Sequence, residues 1–382
     1  MTDTPAPTPA QLTPAQGEKH KTLNDVIEET QTPTGCSKKK PKLGYRHFGR
    51  VMAWLVDPFT APMNLINEGI KTLDIEDPPK NEADPETHLY WSFQALIKVA
   101  PSLQAAINDT EGTNVDAFID INNQLKKARL SGHSDDTNKI KAAIGDILQV
   151  LNLIKPGNPP FPMATLKSTC GFVNDVSALL LTPALWQAHL NPNIIEEVRR
   201  MEHEITADDF PAFMYENNQC ANPDDLKVGL CRGPLLVHVF RHLWLAPSAA
   251  LNAEGTPKTC KKGNAVVYHV TTATPCSIAY AAIQTRFALS NATTWSDVDG
   301  TFDVQAFYWN TVELFTDGGD WAHEMLAWWN KTIFRSRAGH QPTAEGVQTA
   351  SDKPAGSSIS KIAQQRADKG CTVLAASVVN TA

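Results

Sequence analysis

The sequence predicts an all-α protein: a compact multi-helix array with long loops and disordered N- and C-terminal tails. Three observations carry this expectation. Apolar residues recur at helical spacing through the middle of the chain. Neither a run of alternating strands nor a repeat at a fixed period interrupts them. Several periodic segments open on a capping residue or an early proline. With 382 residues, 42% of them apolar, the chain can bury a sizeable core.

The segments follow in order. YRHFGRVMAWLVD places Phe48, Val51, Met52 and Leu55 on one side, and MNLINEGIKTL repeats the pattern with Leu65, Ile66 and Ile70. In PETHLYWSFQALIKVA, Pro85 suits a first helical position, and Leu89, Phe93, Leu96 and Ile97 form the stripe. NVDAFIDINNQLKKARL and DDTNKIKAAIGDILQVLNLI read as an antiparallel pair joined by SGH. KPGNPPFP (155–162) is a loop and the best internal sub-boundary, although the first half is short of aromatic core residues. Further helices are expected in VNDVSALLL, NPNIIEEVRRMEHEI, GPLLVHVFRHLWL, TPCSIAYAAIQTRFALS, DVQAFYWNTVELF and DWAHEMLAWWNKTIF. GNAVVYHVTT has the β-branched content of a short strand, without an obvious partner.

Residues 1–44, rich in Pro, Thr, Lys and Gln, form a basic leader, and residues 335–382 are rich in Ala, Ser, Gly and Thr. Neither stretch can bury enough apolar area to offset chain entropy, so both are expected to be disordered around a single helical domain at 45–334. The polar, Pro-rich start is unlike a signal peptide. The most apolar window, VSALLLTPALW, contains Pro183 and is far short of the ~20 residues of a membrane span. The expectation is an intracellular protein, nuclear or cytoplasmic, not secreted and without membrane contact. The seven cysteines are odd in number and widely spaced, which points to free thiols. Net charge is −7, yet Lys38, Lys39, Lys40 and Lys42 cluster around Pro41, as in a nuclear-import segment or a nucleic-acid contact.

GLCRGPLLVHVFRHLWLAPSAA poses the functional question. At about 100° per residue, Arg241 lies near 300° and His242 near 40° from His238, so the three share one face roughly 100° wide. Apolar residues fill the rest, so this helix should sit deep with one polar strip open. Arg232 precedes it, where free amides favour an anion. Two readings compete. In one, these bases pair with Glu196, Glu197, Glu202, Glu204, Asp208 and Asp209. In the other, Arg232, Arg241, His242, Arg286, Lys261 and Lys262 bind an anion, either a phosphate or a nucleic-acid backbone.

Other chemistry fails on spacing. GTPKTCKKG has Cys260 in place of the second Gly of a phosphate loop, and Lys262 where a Ser or Thr should stand. His238 and His242 have i, i+4 spacing, and Cys220 or Cys231 is available to complete a zinc site, but no Glu follows the first His. Neither a GxSxG elbow nor a paired ExxH motif occurs. No catalytic residue, metal or cofactor is assigned.

Three blocks, GLCRGPLLVHVFRHLWLAPSAA, TPCSIAYAAIQTRFALSNATTW and FYWNTVELF with HEMLAWWNKTIF, resemble a family of uncharacterised proteins from mushroom-forming basidiomycete fungi known as a domain of unknown function. The likeness covers residues 217–334 well and 45–214 loosely. It implies that Arg232, Gly233, Pro234, Arg241, His242 and Arg286 recur in the family and that His238 is a departure; it transfers no activity. The expected function is a non-enzymatic helical interaction module for a macromolecular partner. The alternatives are a nucleic-acid-binding protein, nuclear or related to a mobile element, that uses the basic strip, and an enzyme acting on an anionic substrate.

Overall fold

Helix α1 (Tyr45–Leu55) looks both ways. Tyr45, Phe48 and Met52 enter one apolar cluster, while Val51 and Trp54 enter another. In this computed structural model the described residues are 44–72, 85–108, 115–189, 193–252, 255–257, 262–316 and 319–334, with 358, 359, 361, 362, 364 and 365. The basic segment Lys38, Lys39, Lys40 and Lys42 lies outside them, as does Lys261. The all-α expectation holds for the described residues: helices dominate, and strand is confined to the two-residue pair β1 (Val298–Asp299) and β2 (Phe302–Asp303).

Helices α2 (Pro62–Lys71), α3 (Pro85–Val99) and α4 (Pro101–Asn108) complete the smaller cluster with Leu65, Ile66, Phe93, Leu96 and Leu103. Against it lies α5 (Val115–Val150), a single helix of 36 residues. This corrects the expected antiparallel pair. SGH holds no proline, and Gly132 stays helical beneath Arg50, whose Cγ would lie 2.8 Å from a Cβ there. The apolar stripe does not end at this point; it turns polar. Ile121 and Leu125 face the smaller cluster, Arg129 and Asp136 continue the buried face, and Ile140, Ile144 and Ile147 enter the larger cluster. The two clusters therefore meet along α1 and α5. The 155–162 loop contributes Phe161 to the larger one.

Helices α6 (Asp175–Leu181), α7 (Ala184–His189) and α8 (Ile194–Arg199) lead to α9 (Pro234–Trp244), in which every residue from Leu235 to Trp244 is buried. Gly233 is required at its start, since a Cβ there would fall 1.8 Å from the Phe213 carbonyl oxygen. GNAVVYHVTT is not a strand. It forms the helical turn α10 (Asn264–Val267), because Asn264 Nδ2 donates to Leu243 O at 2.7 Å and Val270 N returns to Ala265 O at 2.8 Å. α11 (Pro275–Leu289) opens on a capping box of Thr274 and Ser277. α12 (Val304–Glu313) packs on α11, and α13 (Asp320–Trp329) runs into a π-helical turn, Asn330–Phe334. Within the expected tail, the described residues Ser358, Ile359 and Ile362 are buried, and Ile359 N donates to Asp208 O at 3.1 Å.

Candidate functional site

The polar edge of α9 lies inside the fold. His238 Nδ1 is 2.6 Å from the Ala250 carbonyl; a carbonyl only accepts, so the proton sits on Nδ1. Burial lowers this imidazole's pKa, and it lowers that of His242 to about 4, with Lys139 adding to the effect. Both rings are therefore neutral near pH 7. Arg241 is 7% exposed and passes beneath Gly255, whose φ is +66° and where a Cβ would lie 2.6 Å from Nε. Arg232 is half-buried, its guanidinium 5.3 Å from the Trp328 ring centre. Arg286 pairs with Asp299 at 2.8 Å and lies 3.5 Å from the Phe302 centroid. It borders a void of about 10 Å³, room for one water at most. Lys262 is exposed.

These residues do not converge on one cavity. Five of the acids expected to pair with them are seen with other partners. Glu196 pairs with Arg199, Glu202 with Arg200 and Glu197 with His203. Asp208 accepts from Asn310, and Asp209 accepts from Ser358.

A buried polar seam crosses the middle of α5 instead, and it has no motif in the sequence. Asp136 is 1% exposed and accepts from Trp54 Nε1 at 2.7 Å and from Tyr280 OH at 3.3 Å. Burial raises its pKa to about 6 against the opposing pull of these bonds and of Lys139. His133 lies edge-on to Trp295 with centroids 4.3 Å apart; burial, then Arg129, lowers its pKa to about 4. Lys167 is another cation the sequence did not single out. It is 2% exposed, donates to the carbonyls of Phe287 and Ser290 at the end of α11, and is lowered to about 8 by burial. Cations at a helix C-terminus complement its dipole. Cys170, Cys220, Cys231 and Cys276 are free thiols. Among the described residues no group of three or more His, Cys, Asp or Glu is placed to hold a metal ion, and no helix is long and apolar enough to cross a membrane.

An accessible concavity lies past the C-terminal end of α9. A groove of about 600 Å³ runs between Leu245, Pro257, Val266, Ile333 and Phe334. A second cavity of about 240 Å³ is bounded by His47, Leu55, Val99, Tyr268 and Thr274, and the two share His269, Val270 and Thr271 as lining. His47 packs on Tyr268 with centroids 4.2 Å apart; burial, then the neighbouring His269, lowers its pKa. His269 closes α10 at φ +54°, a left-handed conformation that a non-glycine residue adopts at a cost. Nothing in the sequence flagged His47 and His269 as a pair, since only the packing of α1 against the turn after α10 unites them.

A model described as a family of unknown function (DUF6698) matches residues 127–334. Neither a curated protein nor a solved structure matches the chain.

Proposed function

As a chain that belongs to the family of unknown function DUF6698, the protein is, we propose, a non-enzymatic helical interaction module that takes an apolar segment of a macromolecular partner into the groove beneath Val266. One observation carries the reading. The groove of about 600 Å³ is edged by apolar side chains, with Val266 57% and neighbouring Val267 42% exposed, whereas the cations of the core are turned inward or paired. Exposed contiguous apolar surface in a concavity is a recognition feature. Arg286 is held by Asp299 and Arg241 is covered by Gly255, so neither is presented to a phosphate backbone. The lysines at 38, 39, 40 and 42 support nuclear import of the module, and the resemblance of the three sequence blocks supports an origin in mushroom-forming fungi.

The test is selection of displayed dodecapeptides on the full-length protein. Selected sequences are expected to be apolar, and Val266→Asp is expected to weaken their binding at least tenfold with an unchanged melting temperature. A selection that yields no binder, or binders indifferent to Val266→Asp, removes the reading. Mobility shifts with random duplex DNA across a salt series are expected to show no steep salt slope; a slope of several phosphate contacts would transfer the function to nucleic-acid binding.

A further inference from the structure

Residues 358–365 lie beyond the family match, which ends at residue 334, yet they dock on the matched part. The described ones, Ser358, Ile359, Lys361, Ile362, Gln364 and Gln365, are helical. Ile359, Ile362 and Gln365 recur every third residue and so fall within about 120° of one helix face. The two isoleucines enter the larger apolar cluster, to which Phe210 and Leu226 also belong, while Gln364 is exposed. Both ends of the segment are hydrogen-bonded to the domain. At one end Ser358 N and Oγ donate to Asp209 Oδ1 at 3.2 and 3.4 Å, and Ile359 N donates to Asp208 O at 3.1 Å. At the other, Gln365 Oε1 accepts from Leu226 N at 2.8 Å and its Nε2 donates to Pro223 O at 3.3 Å. Among the described residues, the Asp209 carboxylate, the Asp208 and Pro223 carbonyls and the Leu226 amide make no other hydrogen bond. The face therefore presents polar groups that this segment alone satisfies, around an apolar floor that it covers. A carboxylate at the first amides of a helix also complements its dipole.

We propose that the face formed by Asp208, Asp209 and residues 223–226 is a docking site for a short amphipathic helix, and that residues 358–365 are its intramolecular ligand, held reversibly. A helix laid by its apolar edge onto an apolar floor is an established mode of peptide recognition. Two isoleucines and a polar clasp at each end make an interface far smaller than that of a stable protein pair. The tether keeps it filled, because a segment joined to its own site is presented at an effective concentration on the order of millimolar. The site selects two aliphatic residues three apart, a hydroxyl residue just before the first and an amide three after the second. It opens when the segment is displaced. None of these residues lines the groove beneath Val266, so the site is independent of the groove reading.

The experiment measures, by fluorescence polarisation, the binding of a fluorescein-labelled peptide of residues 352–369 to the full-length chain. Wild type, whose site is filled, is expected to bind it at least tenfold more weakly than a full-length variant with Ile359→Asp and Ile362→Asp. The same two substitutions in the peptide are expected to abolish binding. Equal binding by the two chains, or binding by neither, overturns the proposal. A second chain covers misfolding of that variant: residues 343–349 of the wild type are replaced by a protease recognition sequence, and the folded protein is nicked there. Excess unlabelled peptide is expected to displace the severed tail on gel filtration and to leave the remainder soluble with an unchanged circular dichroism spectrum. A tail that stays attached, or a remainder that precipitates as the tail leaves, makes residues 358–365 a fixed part of the core and overturns the proposal. A wild-type mass of two chains by light scattering that falls to one when the peptide is added overturns the intramolecular assignment in favour of exchange between copies.

Discussion

The two apolar clusters of this protein are built from different materials. The larger, around α9 and α11, is aromatic and takes polar groups inside. Phe240 stacks on Trp244 at 4.0 Å, Trp244 meets Tyr280 edge-on at 6.2 Å, and the buried Asp136 bridges Trp54 and Tyr280. The smaller, built from α2 to α4 with parts of α1 and α5, is mostly aliphatic. The family match begins at residue 127, inside α5, so it takes in most of the larger cluster and leaves out most of the smaller. The difference assigns the smaller cluster a supporting task. It fixes α1, and α1 in turn delivers Trp54 to Asp136 and His47 to the smaller cavity.

Core truncation tests whether the two clusters are one cooperative unit. Trp329 is fully buried and donates from Nε1 to Cys231 O at 3.1 Å. Trp329→Ala is expected to cost about 4–5 kcal/mol, and Phe93→Ala in the smaller cluster about 3 kcal/mol. Because α1 and α5 belong to both, each variant should lower a single calorimetric transition. A separate early transition in Phe93→Ala alone would make the smaller cluster an independent unit and end its role as a brace. The next largest effect belongs to Arg286, whose side chain is 11% exposed and paired with Asp299. Arg286→Ala leaves Asp299 without its partner and is expected to cost about 2–4 kcal/mol; a melting temperature within one degree of wild type would show that the pair contributes nothing.

The mixed character of the larger cluster also sets its response to acid. His133 and His242 are held near a pKa of about 4 in the fold, below the ordinary value of about 6.5. Each therefore contributes stability that is present above pH ~6.5 and lost as pH falls toward 4, on the order of 3 kcal/mol per group. Asp136, raised to about 6, acts in the opposite sense: its contribution is present at acid pH and is lost as pH rises through 6. With two histidines against one carboxyl, urea stability should fall between pH 7 and pH 4.5. Asp136→Asn should steepen that fall and hold or raise stability at pH 7.5. A shallower fall in the variant would show that Asp136 is not the opposing group. Among the described members of the smaller cluster the one titratable side chain is Tyr45, so Phe93→Ala should change stability by nearly the same amount at both pH values.

This division also explains what was readable in the sequence. α9 was legible because Pro234 fixes its start and apolar residues surround it, so its deep position followed from its pattern, whereas the strip expected to be open is buried as well. The contacts of the acids in 196–209 were not legible: Glu196, Glu197 and Glu202 pair within their own segment, and Asp208 and Asp209 accept from Asn310 and Ser358, contacts that spacing does not encode. α5 was misread because Arg129, Gly132 and Asp136 occupy its buried stripe. With polar residues on both sides of it, SGH looked like a turn only while their partners, Pro58, Arg50 and Trp54, were unknown. The groove was invisible for the same reason. Its wall is the turn after α10, against which α1 packs, and neither segment carries a motif by itself.

The smallest predicted effect bears most directly on function. His269 terminates α10 at φ +54°, where glycine has no steric penalty, and its side chain is exposed. A residue chosen only for stability there would be glycine. His269→Gly is therefore expected to stabilise the fold by about 0.5–1 kcal/mol, relief of left-handed strain outweighing the entropy glycine adds to the unfolded chain. The same change removes the imidazole from the groove wall and should weaken binding of apolar peptides to the groove. A gain in stability joined to a loss of binding is the signature of strain kept at a working site. If His269→Gly instead lowers the melting temperature, the imidazole contributes more to the fold than its backbone costs, and the left-handed turn ceases to argue for a site at this wall.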